Sequence, residues 1–557
     1  MSDKSGLECK FVWRCNNKTE DDIHLAKIVK HTADGEQHRF LKIIKNYKRK
    51  VWVTKPNKRT HKDRREYEFM DNLDCFYSTQ KDLSLNLLKT FNIKSKYIPS
   101  VKEIIADCPF IYGTEISSEG LIKHEINNKY NLKTKNSLAS FDIETCVFSE
   151  LGNIIIASTT YIYKDVSDLV LAYDKKWIKD IKDVEDLFFK AADKYIKEYI
   201  EKYNLKITLI PCSDEVEIIF KIFEKLHIWK PDFLSIWNMN FDIPKVLDSL
   251  ERHEVDPKLI LCDPNLPDEY KFCNYIKGAS SKMTASGKHM SISPANQWHT
   301  LELAASFYVI DAMCLYRQLR IAKPEEPSYK LDSILEKNLG IRKLKFKEAD
   351  KYQDLAWHKF MQTYYKIEYM VYNAFDSLSM MELELKNNDI GFSISVFAGN
   401  TPFYKFKSQP SRVVDEYHYF LQNENMVLGT IGVTKDEDES KYKILNLKNW
   451  ILTLRADYSY GGLNVVKEIP SLNSYFRILN NDADLEAAYP TLTYCFNISI
   501  NTTRKELCQV IGFEEQLFRI QNINFIFGKV NTLQYSVVML GLPDLNDIYE
   551  KFMSEVF

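Results

Sequence analysis

Apolar and polar positions alternate with period two over Lys50-Val51-Trp52-Val53-Thr54, which predicts a strand with Val51 and Val53 on one face. The surrounding residues, 1–135, mix such alternation with short helical patterns and predict a mixed α+β N-terminal domain. From residue 136 the rhythm changes. Apolar runs at 140–143, 152–160 and 307–310 read as sheet strands, and they alternate with helix-period stretches at 215–227 and 364–385. This predicts an α/β domain over residues 136–380, a central sheet with helices packed on it. Residues 256–300, rich in Pro, Gly, Ser and Lys, interrupt the rhythm and predict an inserted loop or hairpin. Residues 381–450 carry a mainly helical pattern and are expected to lead back to the N-terminal domain. Residues 451–557 open on strands, contain Gly461-Gly462 and close on a helix-like run at 545–557.

With 557 residues the chain exceeds one core, in keeping with these divisions. An apolar fraction of 45% and an aromatic fraction of 13% exclude a largely disordered chain. A net charge of −2 excludes a globally basic nucleic-acid coat but leaves room for a local basic groove. Lys45, Lys48, Arg49, Lys50, Lys55, Lys58, Arg59, Lys62, Arg64 and Arg65 crowd one stretch, either a solvated loop or a phosphate-contacting arm. The cysteines form no CxxC pair, which argues against a zinc site or a disulfide framework. The polar N-terminus and the lack of a long apolar run predict a soluble protein of the cytoplasm, that of the host if the source is viral, with no membrane partner.

The candidate chemistry lies in three acidic segments. In Phe141-Asp142-Ile143-Glu144-Thr145, strand geometry sends Asp142 and Glu144 to the same face. Two carboxylates so close repel unless a cation lies between them, and hard oxygen ligands suit Mg²⁺ or Mn²⁺. An exposed acidic strand face has the same spelling, but Phe141 and Ile143 point to a buried sheet, where unpaired acids are costly. In Trp237-Asn238-Met239-Asn240-Phe241-Asp242-Ile243-Pro244 a strand runs through a turn to Asp242, which also reads as a plain helix N-cap with Pro244 in the first turn. In Tyr372-Asn373-Ala374-Phe375-Asp376 a phenol and a carboxylate four residues apart share one helix face and could orient a water.

The ordered set DxE, Nx₂FD, Yx₃D resembles the three exonuclease motifs of family B DNA polymerases of the tailed-bacteriophage replicative type. These belong to the DEDD exonucleases with a ribonuclease-H-like fold. The resemblance implies a 3′→5′ proofreading exonuclease in which Asp142, Glu144, Asp242 and Asp376 hold two divalent ions about 4 Å apart. It implies that Tyr372 holds the attacking water and that Asn238 and Phe241 contact the substrate strand. Ser328-Tyr329-Lys330-Leu331-Asp332 resembles a further segment of these polymerases, and reads equally as the start of an amphipathic helix.

Downstream, Ala483-Asp484-Leu485-Glu486-Ala487-Ala488-Tyr489-Pro490-Thr491 resembles motif A of the family's palm. That implies Asp484 as a metal ligand and Leu485 and Tyr489 as nucleotide-binding positions, with Tyr489 under the incoming sugar. Ala487-Ala488 replaces the usual Ser-Leu. The segment from Gly461-Gly462 to Glu468 resembles the link between exonuclease and palm. No Kx₃NSxYG fingers motif and no DTD pair follows, and Asp544 and Asp547 do not replace it. The expected partners are therefore a DNA primer-template, a second polymerase chain carrying fingers, thumb and the rest of the palm, and a sliding clamp. A stand-alone exonuclease with a decayed polymerase region, or a non-catalytic DNA-binding protein of replication, would carry the same motifs.

Overall fold

The computed structural model describes residues 5–429 apart from 62–64, 66, 94–96 and 284–288, together with four later strands. Three strands, β1 (Gly6–Arg14), β2 (Ile23–His31) and β3 (Gln37–Lys45), form an antiparallel sheet. β4 (Arg49–Thr54), β5 (Tyr67–Phe69), β6 (Leu73–Ser78) and β7 (Ile111–Tyr112) follow, and β4 pairs with both β6 and β7. α1 (Leu83–Thr90) and α2 (Val101–Asp107) cover this second sheet, where Val51, Leu83, Leu87 and Ile104 are buried together. α3 (Ser118–Tyr130) packs on β1. Over its described part the basic stretch runs through the end of β3 and β4, with Lys45, Lys48, Lys50 and Lys58 exposed. Arg49 is buried and donates to Gln80 Oε1 (2.6 Å) and the Gly113 carbonyl (2.9 Å), and Arg59 covers the Phe91 ring at 4.9 Å. Lys62 and Arg64 lie outside the described residues.

The central sheet begins with β8 (Leu138–Thr145), β9 (Ile154–Tyr163) and β10 (Val166–Asp174), an antiparallel meander. α4 (Val184–Tyr195), α5 (Lys197–Tyr203), β11 (Lys206–Cys212), α6 (Glu215–Trp229), β12 (Phe233–Ile236) and α7 (Met239–Arg252) follow. The insertion then runs through α8 (Pro257–Leu261), β13 (Cys273–Ile276), β14 (Ser281–Met283), β15 (His289–Ser291) and β16 (Thr300–Leu303). β13 pairs with β16, and β14 with β15, so residues 256–300 contain the expected hairpin. β17 (Tyr308–Asp311) completes a six-stranded sheet of order β11-β10-β9-β8-β12-β17, in which β12 and β17 run parallel to β8. The expected α/β domain with a central sheet is present at this level.

α9 (Ala312–Leu319), α10 (Leu331–Leu339), α11 (Asp354–Tyr364) and the long α12 (Lys366–Asn387) come next. α10 buries Leu331, Ile334 and Leu335, so the segment from Ser328 does lead into an amphipathic helix. Both faces of the sheet are covered. Phe141, Ile143, Val170 and Ala172 pack with Ile218, Ile222 and Phe223 of α6. Leu169 and Leu171 face the other way, with Phe188 of α4 and Ala374, Phe375 and Leu378 of α12. Because strand side chains alternate, Asp142 and Glu144 fall on the α12 side. Small polar groups let α12 approach closely: Ser140 Oγ donates to the Ser377 carbonyl (2.7 Å) and Ser158 Oγ to that of Asn373 (3.0 Å).

α13 (Ile394–Ala398), α14 (Gln409–Asn423) and β18 (Met426–Leu428) lead back to β5, with which β18 pairs. The chain divides into two units, residues 1–433 and 434–557. In the second, β19 (Trp450–Ala456) pairs with β20 (Thr503–Gln509), and β21 (Asn522–Phe525) with β22 (Gly528–Asn531). Gly461-Gly462, Asp484, Leu485, Tyr489, Asp544, Asp547 and the helix expected at 545–557 lie outside the described residues. Among the described residues no helix is long and apolar enough to cross a membrane.

Candidate active site

Three of the predicted acids converge. Oxygens of Asp142 and Glu144 on β8 and of Asp376 on α12 all lie within 4.8 Å of one another. Glu144 and Asp376 are buried, while Asp142 is enclosed by protein yet keeps an opening to solvent. Charge held so closely in a poorly solvated place disfavours ionisation. Burial, then Asp376, Asp242 and Glu144, push Asp142 well above the usual carboxylate range. Burial lifts Glu144 to about 7 against the hydrogen bond from Tyr369. Burial also raises Asp376, against the opposing pull of Lys343.

α12 supplies more than its acid. Tyr369, Tyr372, Asn373 and Asp376 recur at the three- and four-residue spacing that puts side chains on one helix face. Asn373 donates to Asp142 Oδ2 at 2.7 Å, and the Tyr369 hydroxyl donates to Glu144 Oε2. Tyr369 is held in turn by His358 Nδ1 (2.7 Å) and Gln362 Nε2 (3.3 Å), and Gln362 also binds the carbonyl of Thr145 and the amide of Val147. The helix face was legible as a repeat, but only Tyr372 and Asp376 stood out from it in sequence.

Tyr372 shares the Asp376 face as expected, but a cation sits between them. Lys343 Nζ is 2.5 Å from Asp376 Oδ2 and 3.1 Å from the Tyr372 hydroxyl. Burial alone would lower the Lys343 pKa; Asp376, Tyr372 and Asp142 outweigh it and hold the amine well above its ordinary value. Lys343 follows α10 in a connecting segment, with no sequence periodicity to mark it.

Asp242 stands outside the 4.8 Å group, yet its charge belongs to the site. Burial, then Glu144, Asp311 and Asp376, raise it well above the usual range. Its local setting differs from the N-cap reading. The helix starts at Met239, with Asn238 as cap residue making no side-chain cap bond, and Pro244 lies inside the helix. Met239, Ile243, Val246 and Leu250 are all buried, so the apolar period begins at Met239 and carries Asp242 into the first turn. Asn238 and Phe241 are exposed, Phe241 by 43%, and neither reaches the carboxylates by a hydrogen bond. Asp311, at the end of β17, was not a candidate. It caps α9 through Cys314 N (2.9 Å), its Oδ2 is buried without a hydrogen-bond partner, and burial lifts it to about 7.

The donor set fits a divalent cation. Hard oxygens converge, Asp376 Oδ1 is buried without a hydrogen-bond partner, and one lysine faces several carboxylates. Asp142, Glu144 and Asp376 can hold a metal ion, with Asp242 adding negative charge nearby. No protein-family model matches the chain, and no curated protein matches it in sequence.

Proposed function

We propose that residues 136–380 form a metal-dependent 3′→5′ DNA exonuclease of ribonuclease-H-like architecture, in the front portion of a family B DNA polymerase. The observation that carries this reading is the convergence of Asp142, Glu144 and Asp376 within 4.8 Å, from a strand and a helix far apart in sequence. The mixed sheet with helices on both faces supports the architecture.

In this reading Asp142, Glu144 and Asp376, joined by Asp242, hold two Mg²⁺ or Mn²⁺ ions. Bound divalent ions supply a hydroxide near neutral pH and stabilise the departing 3′ oxygen. The residues of the chain do the positioning. Tyr369 and Asn373 fix the carboxylates of Glu144 and Asp142. Lys343 offsets charge at Asp376 and places an ammonium beside the Tyr372 hydroxyl, where the attacking water is held. Asn238 and Phe241, exposed at the start of α7, would meet the strand. A frayed 3′ end reaches such a site more readily than a paired one, because less unpairing is needed.

The wider proposal keeps Asp484 as a palm metal ligand and Leu485 and Tyr489 as nucleotide contacts. A second chain with fingers, thumb and the rest of the palm, and a sliding clamp, complete the polymerase on its primer-template. The test is degradation of a 5′-labelled single strand by the purified chain with Mg²⁺ or Mn²⁺. Stepwise shortening from the 3′ end is expected, with its loss in Asp142→Ala/Glu144→Ala. No shortening, or an unaffected double variant, refutes the exonuclease. Primer extension is expected only when the second chain is added.

A further inference from the structure

Residues 342–365 lead from the carboxylates to the open surface and combine positive charge with aromatic rings. Arg342, Lys343, Lys345, Lys347, Lys351 and Lys359 outnumber Glu348, Asp350 and Asp354, in a chain whose net charge is −2. Two open clefts lie along this stretch. The inner one, about 450 Å³, is lined by Lys343 and Tyr372 of the carboxylate site, by Lys345, Tyr352 and Trp357, and by Asp332 and Asp350. The outer one, about 670 Å³, is lined by Lys347, Glu348, Lys351, Phe360, Tyr364 and Tyr365. One pair of rings divides them: Tyr352 of the inner cleft stacks on Phe360 of the outer, with centroids 4.7 Å apart and planes at 28°. Trp357 meets Tyr372 at 4.9 Å on the inner side, and Phe360 meets Tyr364 at 5.2 Å on the outer. Trp357 and Tyr352 share the lining of the inner cleft, Phe360 and Tyr364 that of the outer, and Tyr364 is 72% exposed. Core packing does not account for a ring so open beside two exposed lysines.

A cluster of acids repels the phosphates of any strand that approaches it. Attraction has to come from neighbouring surface, and lysines interleaved with open rings are the chemistry that holds a single strand, by phosphate contacts and base stacking. We propose that the two clefts form one track for single-stranded DNA, with bases on Trp357, Tyr352 and Tyr364 and phosphates at Lys345, Lys347 and Lys351. The identity of the strand rests on the exonuclease reading; the stacking and charge do not.

The test measures binding of labelled oligothymidylates of about three and about twelve nucleotides to the full chain in EDTA, where metal-dependent cleavage is off. Lys347→Glu/Lys351→Glu and Tyr364→Ala alter exposed side chains, and unchanged circular dichroism and melting temperature establish that they fold. The charge reversal is expected to weaken the longer oligonucleotide more than about tenfold and to lower the salt slope by about 1.4. Tyr364→Ala is expected to weaken it roughly five- to hundredfold. The shorter oligonucleotide, which ends before the outer cleft, changes little with either variant. The track is overturned if the unaltered chain binds no single strand, or if both variants bind the longer one as the unaltered chain does. Failure of the exonuclease reading looks different. Loss of binding in Tyr364→Ala with no metal-dependent shortening supports the track without the nuclease. Shortening that needs Asp142, with binding indifferent to both variants, keeps the nuclease and removes the track.

Discussion

Asp232, at the head of β12, and Asp142 with Glu144, on the neighbouring strand β8, are enclosed acids of one sheet with opposite surroundings. Asp232 meets Lys27 Nζ at 3.9 Å and Arg39 Nε at 3.5 Å, and it accepts from the Ser137 amide and hydroxyl at 2.9 and 3.1 Å. Burial would raise its pKa, but Lys27, Lys10 and Arg39 outweigh burial and hold it below the ordinary value. Asp142, Glu144, Asp242 and Asp376 have one nearby lysine, Lys343, which hydrogen-bonds Asp376 alone, and all four are raised. Burial is common to both groups, so it does not set them apart. What distinguishes them is whether the protein supplies the countercharge. At Asp232 it does; at the other group one lysine faces a cluster of carboxylates that could hold a metal ion.

The largest expected effects come from removing each group. Asp142→Ala/Glu144→Ala should cost about three orders of magnitude or more in exonuclease rate, while the metal-free melting temperature holds or rises because repulsion is relieved. Asp232→Ala should do the reverse. It leaves Lys27 buried without its countercharge, a loss of about 3–5 kcal/mol in denaturant unfolding, with the rate per folded molecule little changed. If both variants lose stability and activity together, the distinction between the groups is gone.

Metal should then act on one group alone. Mn²⁺ at about a hundred times its Kd should stabilise the unaltered chain by about 2.7 kcal/mol. The shift should persist in Asp232→Ser and vanish in Asp142→Ala/Glu144→Ala. Equal shifts in all three proteins would place the ion elsewhere.

Acidity should divide the groups with opposite sign. A carboxylate raised on folding binds its proton more tightly in the folded state, so its stabilising contribution is present at low pH and is lost as pH rises. Glu144, lifted to about 7 from 4.5, should cost the metal-free chain on the order of 2–3 kcal/mol between those values. Asp232 is depressed, so its contribution is present above its unfolded pKa and is lost as pH falls below it. Melting curves of metal-free protein across this range should show the Glu144 loss, and Glu144→Gln should flatten it.

Much of this site was legible because periodicity marks it. Phe141 and Ile143 flank the acids of β8, and Tyr372 and Asp376 share a helix face whatever the tertiary fold. The helix start at Met239 was masked by Asp242 and Pro244, which imitate a cap and a first turn; burial of Met239 and Ile243 decides against them. β10 was harder to see, because residues 169–173 are buried on both sides and show no alternation. Lys343 reaches Asp376 directly, and His358 and Gln362 reach Glu144 through Tyr369, from segments whose pattern says nothing of the site, since only the packing of α11 and the loop after α10 brings them there. Asp484 and Tyr489, expected in a palm from a resemblance alone, lie outside the described residues.

Within the site, two tyrosines on one face of α12 invite the finest separation. Tyr369 is buried, donates to Glu144 and is itself held by His358 and Gln362; Tyr372 touches Lys343 and lines the cleft. Tyr369→Phe removes a donor from a buried carboxylate while keeping the ring, so the oxygen it served loses its orientation. The expected cost is about 1–2 kcal/mol, read as a five- to thirtyfold weaker Mn²⁺ dependence with the maximal rate at saturating metal largely retained. On the proposed function, Tyr372→Phe should leave metal dependence alone and lower the maximal rate, because its hydroxyl, bonded to Lys343, would hold the water. Metal titrations of both variants distinguish these outcomes. A maximal rate that falls in Tyr369→Phe with unchanged metal dependence would move the water-holding role from Tyr372 to Tyr369, one turn earlier on the same helix.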